Sequence, residues 1–270
     1  MTEYKFYQID AFANKAFEGN QACIMPMDAF LPDDQLLAIA AENNVAETAY
    51  LVAAGEGRWK LRWFTPAIEV PLCGHATLAA AHVLFQHEGY TGDRIVFETV
   101  KSGELIVERS GEGYVMDFPA SPVQEIEVKD DIVAALGARP VAAYAGAFYA
   151  AVFETAEQVK SLSPDLKALK ALGAGDLIER GNFGCLAEGG DGVDITSRFF
   201  APGSGIDEDP ATGSWHCMLA PVVAASTGRN ELNCYQAFPG RGAFIQTRLE
   251  GVRVKLAGNA VTVIEGRFRL

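Results

Sequence analysis

Apolar and polar residues along the 270-residue chain change period several times, and each change predicts an element. YKFYQIDAF (4–12) alternates like a strand. DDQLLAIAAEN (33–43), entered through Leu31 and Pro32, puts Leu36, Leu37 and Ala40 on one helical face. NVAETAYLV (44–52) returns to a period of two, so Val45, Glu47, Ala49 and Leu51 share one side of a strand. A carboxylate on that side is either a solvated strand end or a desolvated group with a raised pKa, and the pattern alone favours the solvated end. The run after Gly74 is apolar nearly all round, from Ala76 through Leu78, Val83 and Phe85, and predicts a buried central helix that stops at Gly89.

The pattern also repeats. RWFTP (62–66) returns as RFFAP (198–202), and each copy is followed by an acidic loop, a glycine and a helical run. The strand pairs RIVFETVKSGELIVER (94–109) and GAFIQTRLEGVRVKL (242–256) come next. The same order in both halves predicts a duplicated fold, with one half over 1–118 and the other over 119–259, and with the last strand (260–270) expected to complete the first. In the second helical run, ATGSWHCMLAPVVAASTG (211–228), Pro221 predicts a kink or an early break.

Composition narrows the function. A formal charge of −13 and a pI near 4.8 argue against a nucleic-acid partner. MTEYKFYQIDAF has no secretory pattern and no stretch has the apolar length of a membrane span, so a cytoplasmic protein is expected. Cys23, Cys73, Cys185, Cys217 and Cys234 are widely spaced without a CxxC, and reduced thiols are expected.

Candidate chemistry concentrates in PLCGHAT (71–77). Free amides at the start of a buried helix, with glycine allowing close approach, make Gly74 and His75 a candidate anion hole, and Gly213 and Ser214 the matching one. If both halves share a design, the two helix starts would face a common cleft suited to a carboxylate. A catalytic thiol at Cys73 beside His75 is the rival reading, since helix starts depress thiol pKa values. A metal set drawn from Cys73, His75, His82, His216 and Cys217 lacks any metal-ligand spacing, so no metal is expected. His82 reads as a helix-packing histidine and His87 as a cation near a helix C-terminus. GEGY (111–114) and GAGD (173–176) read as turns.

IDAFANKAFEGNQACIM, AENNVAETAYL, RWFTPAIEVPLCGHATLAAAHVL and FAPGSGIDEDPATGSWHCMLAP together resemble the phenazine biosynthesis PhzF-like isomerases, of diaminopimelate epimerase-like fold, over nearly the whole chain. The resemblance implies an α+β fold of two pseudo-symmetric domains, each a mostly antiparallel curled β-sheet around a central helix. It also implies a homodimer that works without cofactor on a small carboxylic acid. Residue by residue, it places the catalytic glutamate on Glu47, the active-site histidine on His75 and the aspartate on Asp209. Ser214, Gly74 and Gly213 become substrate-binding groups, and so does Asn20, which is followed by Gln21 where the family motif has proline. Trp215 stands where many members carry a small residue and would narrow the cleft or stack on an unsaturated substrate. Cys73 separates subfamilies: epimerases of this fold use two thiols on opposite faces of a carbon, whereas this chain offers Asp209 in the second half. A same-face proton shift by Glu47 is therefore expected, with epimerisation through Cys73 or Glu47, or binding without turnover, as alternatives.

Overall fold

A computed structural model describes residues 2–172, 181–190 and 192–270; the GAGD turn lies outside the described residues. The alternating opening becomes β1 (Glu3–Ala11), followed by β2 (Asn20–Met27), α1 (Asp33–Asn43), β3 (Glu47–Gly55), β4 (Arg58–Phe64) and β5 (Glu69–Val70). Then come α2 (Gly74–Gln86), β6 (Arg94–Thr99), β7 (Glu104–Ser110) and β8 (Gly113–Pro119). The GEGY turn joins β7 to β8, with Gly111 at φ 60°. Adjacent strands pair in a fixed succession: β1 with β2 antiparallel, β2 with β3 parallel, β3 with β4 antiparallel, β4 with β6 parallel, β6 with β7 antiparallel. Parallel neighbours need a crossover, and α1 and α2 supply the two.

The second run begins with β9 (Gln124–Ile126), α3 (Asp130–Leu136), β10 (Ala142–Ala145), β11 (Tyr149–Val152), α4 (Ala156–Ser161) and α5 (Leu166–Leu172). It continues with β12 (Phe183–Glu188), β13 (Ile195–Phe200), a 3-10 turn (Pro202–Ser204), α6 (Gly213–Thr227), β14 (Glu231–Phe238), β15 (Arg241–Glu250), β16 (Arg253–Gly258) and β17 (Ala260–Arg269). The pairing succession recurs: β10 with β11 antiparallel, β11 with β12 parallel, β12 with β13 antiparallel, β13 with β14 parallel, β14 with β15 antiparallel. β17 pairs antiparallel with β1 from Glu3↔Arg269 to Ala11↔Ala260, and β9 pairs antiparallel with β10. By contacts the chain divides into one unit of Met1–Asp117 with Ala257–Leu270 and another of Phe118–Leu256.

In the first unit α2 packs against β1, β2, β3 and β17, and His75 through Phe85 are all buried, as a helix without a polar face must be. Its regular turns end at Gln86, and Gly89 reverses the chain at φ 70°. His82 is buried between Tyr114 Oη (3.0 Å) and Thr262 Oγ1 (2.9 Å), the packing role expected of it. In the second unit α6 packs against β12 and β15.

Two expectations need correction. Asn44 takes a left-handed conformation (φ 48°) at the end of α1, so the predicted strand starts at Glu47 instead of 44 and Val45 lies outside it. α6 does not break at Pro221. A proline cannot donate to the carbonyl four residues back, but Ser121 N donates to that carbonyl, Cys217 O, at 2.9 Å and keeps it satisfied. All five cysteines are free and buried. No helix among the described residues is long and apolar enough to cross a membrane.

Candidate active site

Strand order brings the first group together. β2 and β3 are parallel neighbours, with Ala22 opposite Glu47, so Asn20 and Glu47 stand at the same ends of adjacent strands. The turn into Asn20 requires Gly19: its φ is 62°, and a Cβ there would lie 2.0 Å from Ala11 O. α2 starts at Gly74 from Cys73, whose side chain does not cap the helix, while Thr77 Oγ1 donates to Cys73 O at 2.6 Å.

His75 is the hub. Its Nε2 lies 3.0 Å from Glu47 Oε2, and Asn20 Nδ2 lies 3.3 Å from Nδ1. An amide N–H facing Nδ1 makes that nitrogen the acceptor in the neutral ring, which leaves the proton on Nε2 facing the carboxylate. The Glu47–His75 separation is an ion-pair distance, and Glu47 Oε2 is buried without a hydrogen-bond partner. The Glu47 side chain is only 16% exposed, which overturns the solvated strand end favoured by the pattern alone.

Cys73 Sγ lies 3.5 Å from His75 Nδ1 and 4.0 Å from Nε2. A sulfur in line with the Nδ1 lone pair would sit a full ring width farther from Nε2, so the thiol packs beside the ring. Burial, then the Glu47 charge, pushes the Cys73 thiol up to about 11, against the depressed value a nucleophilic thiol needs. Burial disfavours the His75 cation, yet the Cys73 sulfur and the Glu47 carboxylate hold its pKa well above the ordinary histidine value. With the thiol protonated near neutrality, Glu47 supplies the charge. The ligating atoms of Glu47, Cys73 and His75 lie within 4.8 Å of one another, a donor set chemically suited to zinc. The sulfur's place beside the ring means that no single point is in line with all three without side-chain movement.

The second group is built within the other unit. Asp209 N donates to Phe199 O of β13 at 3.0 Å, and Thr212, the N-cap of α6, donates from Oγ1 to Asp209 Oδ2 at 2.6 Å. Gln236 of β14, fully buried, donates from Nε2 to Asp209 O (2.6 Å) and Thr212 Oγ1 (3.1 Å) and accepts from Thr212 N at 2.9 Å. Gly213 is buried and Ser214 exposed at the helix start. Nothing in the sequence pattern singled out Gln236 or Thr212. Trp215 is corrected: its ring is fully buried in the core, 6.0 Å from the Phe199 ring and so close to Gly184 that a Cβ there would lie 2.3 Å from it. A ring turned into the core does not line a substrate cleft.

Comparisons with known proteins show the family and the fold. Residues 9–266 match the model of the PhzC-PhzF family, described as phenazine biosynthesis-like protein. The chain is 43% identical over 269 residues to an uncharacterized isomerase of Pseudomonas aeruginosa, covering 99% of each. A crystal structure of a phenazine biosynthesis protein of the PhzF family from Enterococcus faecalis is 37% identical and covers both chains completely, with a TM-score of 0.93. A hydroxyproline epimerase from Agrobacterium vitis, 10% identical, covers 98% of this chain and 92% of its own with a TM-score of 0.61, which shows a shared fold.

Proposed function

Because the chain belongs to the phenazine biosynthesis-like PhzC-PhzF family, we propose that it is an isomerase that moves a proton between carbons of a small carboxylic acid carrying a double bond or ring, with Glu47 as base and then acid. The observation that carries this reading is the Glu47 carboxylate, mostly buried at a strand end 3.0 Å from His75 Nε2, with an Oε2 that accepts no hydrogen bond.

In the forward step the C–H bond breaks, its proton goes to Glu47 and its electron pair enters the conjugated system. In the return step Glu47, whose carboxyl proton can exchange with solvent while it is held, gives a proton to a carbon further along, and the electron pair closes the new C–H bond. The double bond moves, and no electron leaves the substrate, so the step calls for no redox cofactor. His75, held on the Nδ1 side by Asn20, faces Glu47 and orients its carboxyl group through both steps. Asp209 is proposed, from the resemblance, as a further catalytic residue, and Gly213 and Ser214 as substrate-binding groups. A protonated Cys73 disfavours inversion through a thiolate. The working form is proposed to be a homodimer in the cytoplasm.

The test is a panel of unsaturated and cyclic acids incubated with the protein in D2O and followed by NMR. Deuterium at carbon, with the recovered substrate keeping its optical rotation, supports isomerisation; loss of rotation in the recovered substrate would favour epimerisation. Absence of exchange with every acid, or Glu47→Gln exchanging at the wild-type rate, would overturn the proposal.

A further inference from the structure

The two pentapeptide copies carry a device that the acid/base groups leave unexplained. Arg62 donates from Nε to Glu69 Oε1 at 2.7 Å and from Nη2 to Oε2 at 2.9 Å. Arg198 does the same to Glu208 with both bonds at 2.7 Å. In each unit the phenylalanine two residues on lies under the guanidinium, 5.1 Å for Phe64 and 4.6 Å for Phe200, and faces that glutamate across an antiparallel pairing. The step from glutamate to helix start is also the same, EVPLCG in one unit and EDPATG in the other. It sets Thr212 against Cys73, Ser214 against His75, and Asp209 against Val70.

The Arg198–Glu208 pair is the deeper of the two, with side chains 9% and 10% exposed, and Arg198 Nη1 also donates to Leu162 O at 2.6 Å and Lys160 O at 3.1 Å. A buried ion pair gains little net stability over an apolar pair of similar volume. A planar fork meeting both carboxylate oxygens does fix orientation, which lysine cannot reproduce. What the fork orients is Glu208, the residue directly before Asp209.

We propose that Arg198 is a positioning residue: through its fork with Glu208 it sets the Asp209 carboxylate and the start of α6, as Arg62 through Glu69 sets the start of α2. The inference rests on the proposed function for the part played by Asp209.

The test uses the full chain carrying Arg198→Lys, which keeps the charge and loses the fork, and the pair Arg198→Met with Glu208→Leu, which removes the charges and keeps the volume. Both are expected to fold by circular dichroism, with faster amide deuterium exchange confined to peptides covering 205–214. With an acid that undergoes C–H exchange, kcat should fall about 10- to 100-fold with little change in KM, the size expected of a misplaced group. Adding Arg198→Lys to Asp209→Asn should cost nothing further, because Arg198 acts through Asp209. Unchanged exchange at 205–214 in the Met/Leu pair, or an additive loss in the double variant, would overturn the proposal. Failure of every acid with the wild type would overturn the proposed function instead, and the amide measurement would still decide whether the fork orders Asp209.

Discussion

His75 Nε2 lies 3.0 Å from Glu47 Oε2, and that oxygen is buried with no hydrogen bond of its own. The pair places a cation-forming ring beside a mostly buried carboxylate, at the meeting of a strand end and a helix start.

Glu47→Gln keeps the shape of the side chain and removes its capacity to accept a proton. Folding should be little changed, while C–H exchange in D2O should fall by roughly 10²- to 10⁴-fold, the range for a lost general base. Cys73→Ser is the control and should cost far less. The reverse ranking of the two variants would return the site to the thiol.

The protonation of His75 should depend on Glu47. In the wild type the ring is expected to remain cationic above pH 6.5, the ordinary histidine value, because the Cys73 sulfur and the Glu47 carboxylate together outweigh burial. The folded pKa lies above the unfolded one, so the stability it contributes is complete below the unfolded value and is lost as pH rises through the folded one. In Glu47→Gln burial dominates and the pKa should drop. NMR titration of the imidazole carbons measures this; a wild-type ring neutral at pH 7 would contradict it.

Acid should destabilise the fold through two other histidines. Burial lowers His82 and His216 from 6.5 to about 4, and His87 adds to the effect on His82. The unfolded chain therefore binds more protons between those values, and stability falls as pH drops through the window, by on the order of 3 kcal/mol per group at the limit. Urea unfolding at pH 7 and pH 4.5 should show the loss, and His82→Gln should reduce the slope. An unchanged slope in that variant would mean that His82 does not carry the effect.

Gly19→Ala should be severe for its size. The new Cβ meets Ala11 O at 2.0 Å in a backbone with φ 62°, and overpacking with left-handed strain costs about 2–4 kcal/mol. Asn20 would shift with the turn, so a lowered Tm should accompany a changed His75 titration. A Tm within a degree of wild type would show that the turn relaxes freely.

Local physics was legible in the chain alone. Helical periodicity marked α1 over 33–43, the unbroken apolar run marked α2 from Gly74 as buried, and RWFTP and RFFAP marked a repeat that the structure puts at the ends of β4 and β13. The resemblance named Glu47 and His75, whereas the strand pattern alone left Glu47 solvated. Tertiary structure decided everything that depends on which strand lies beside which: Asn20 and Glu47 meet His75 because β2 and β3 are parallel neighbours beside the start of α2. Gln236 reaches Asp209 from β14, Trp215 turns into the core, and α6 survives Pro221 because Ser121 supplies the missing donor. Periodicity tells a residue which side of its own element it occupies; burial, pKa and hydrogen-bond partners are set by the neighbouring element, and folding alone brings that neighbour near.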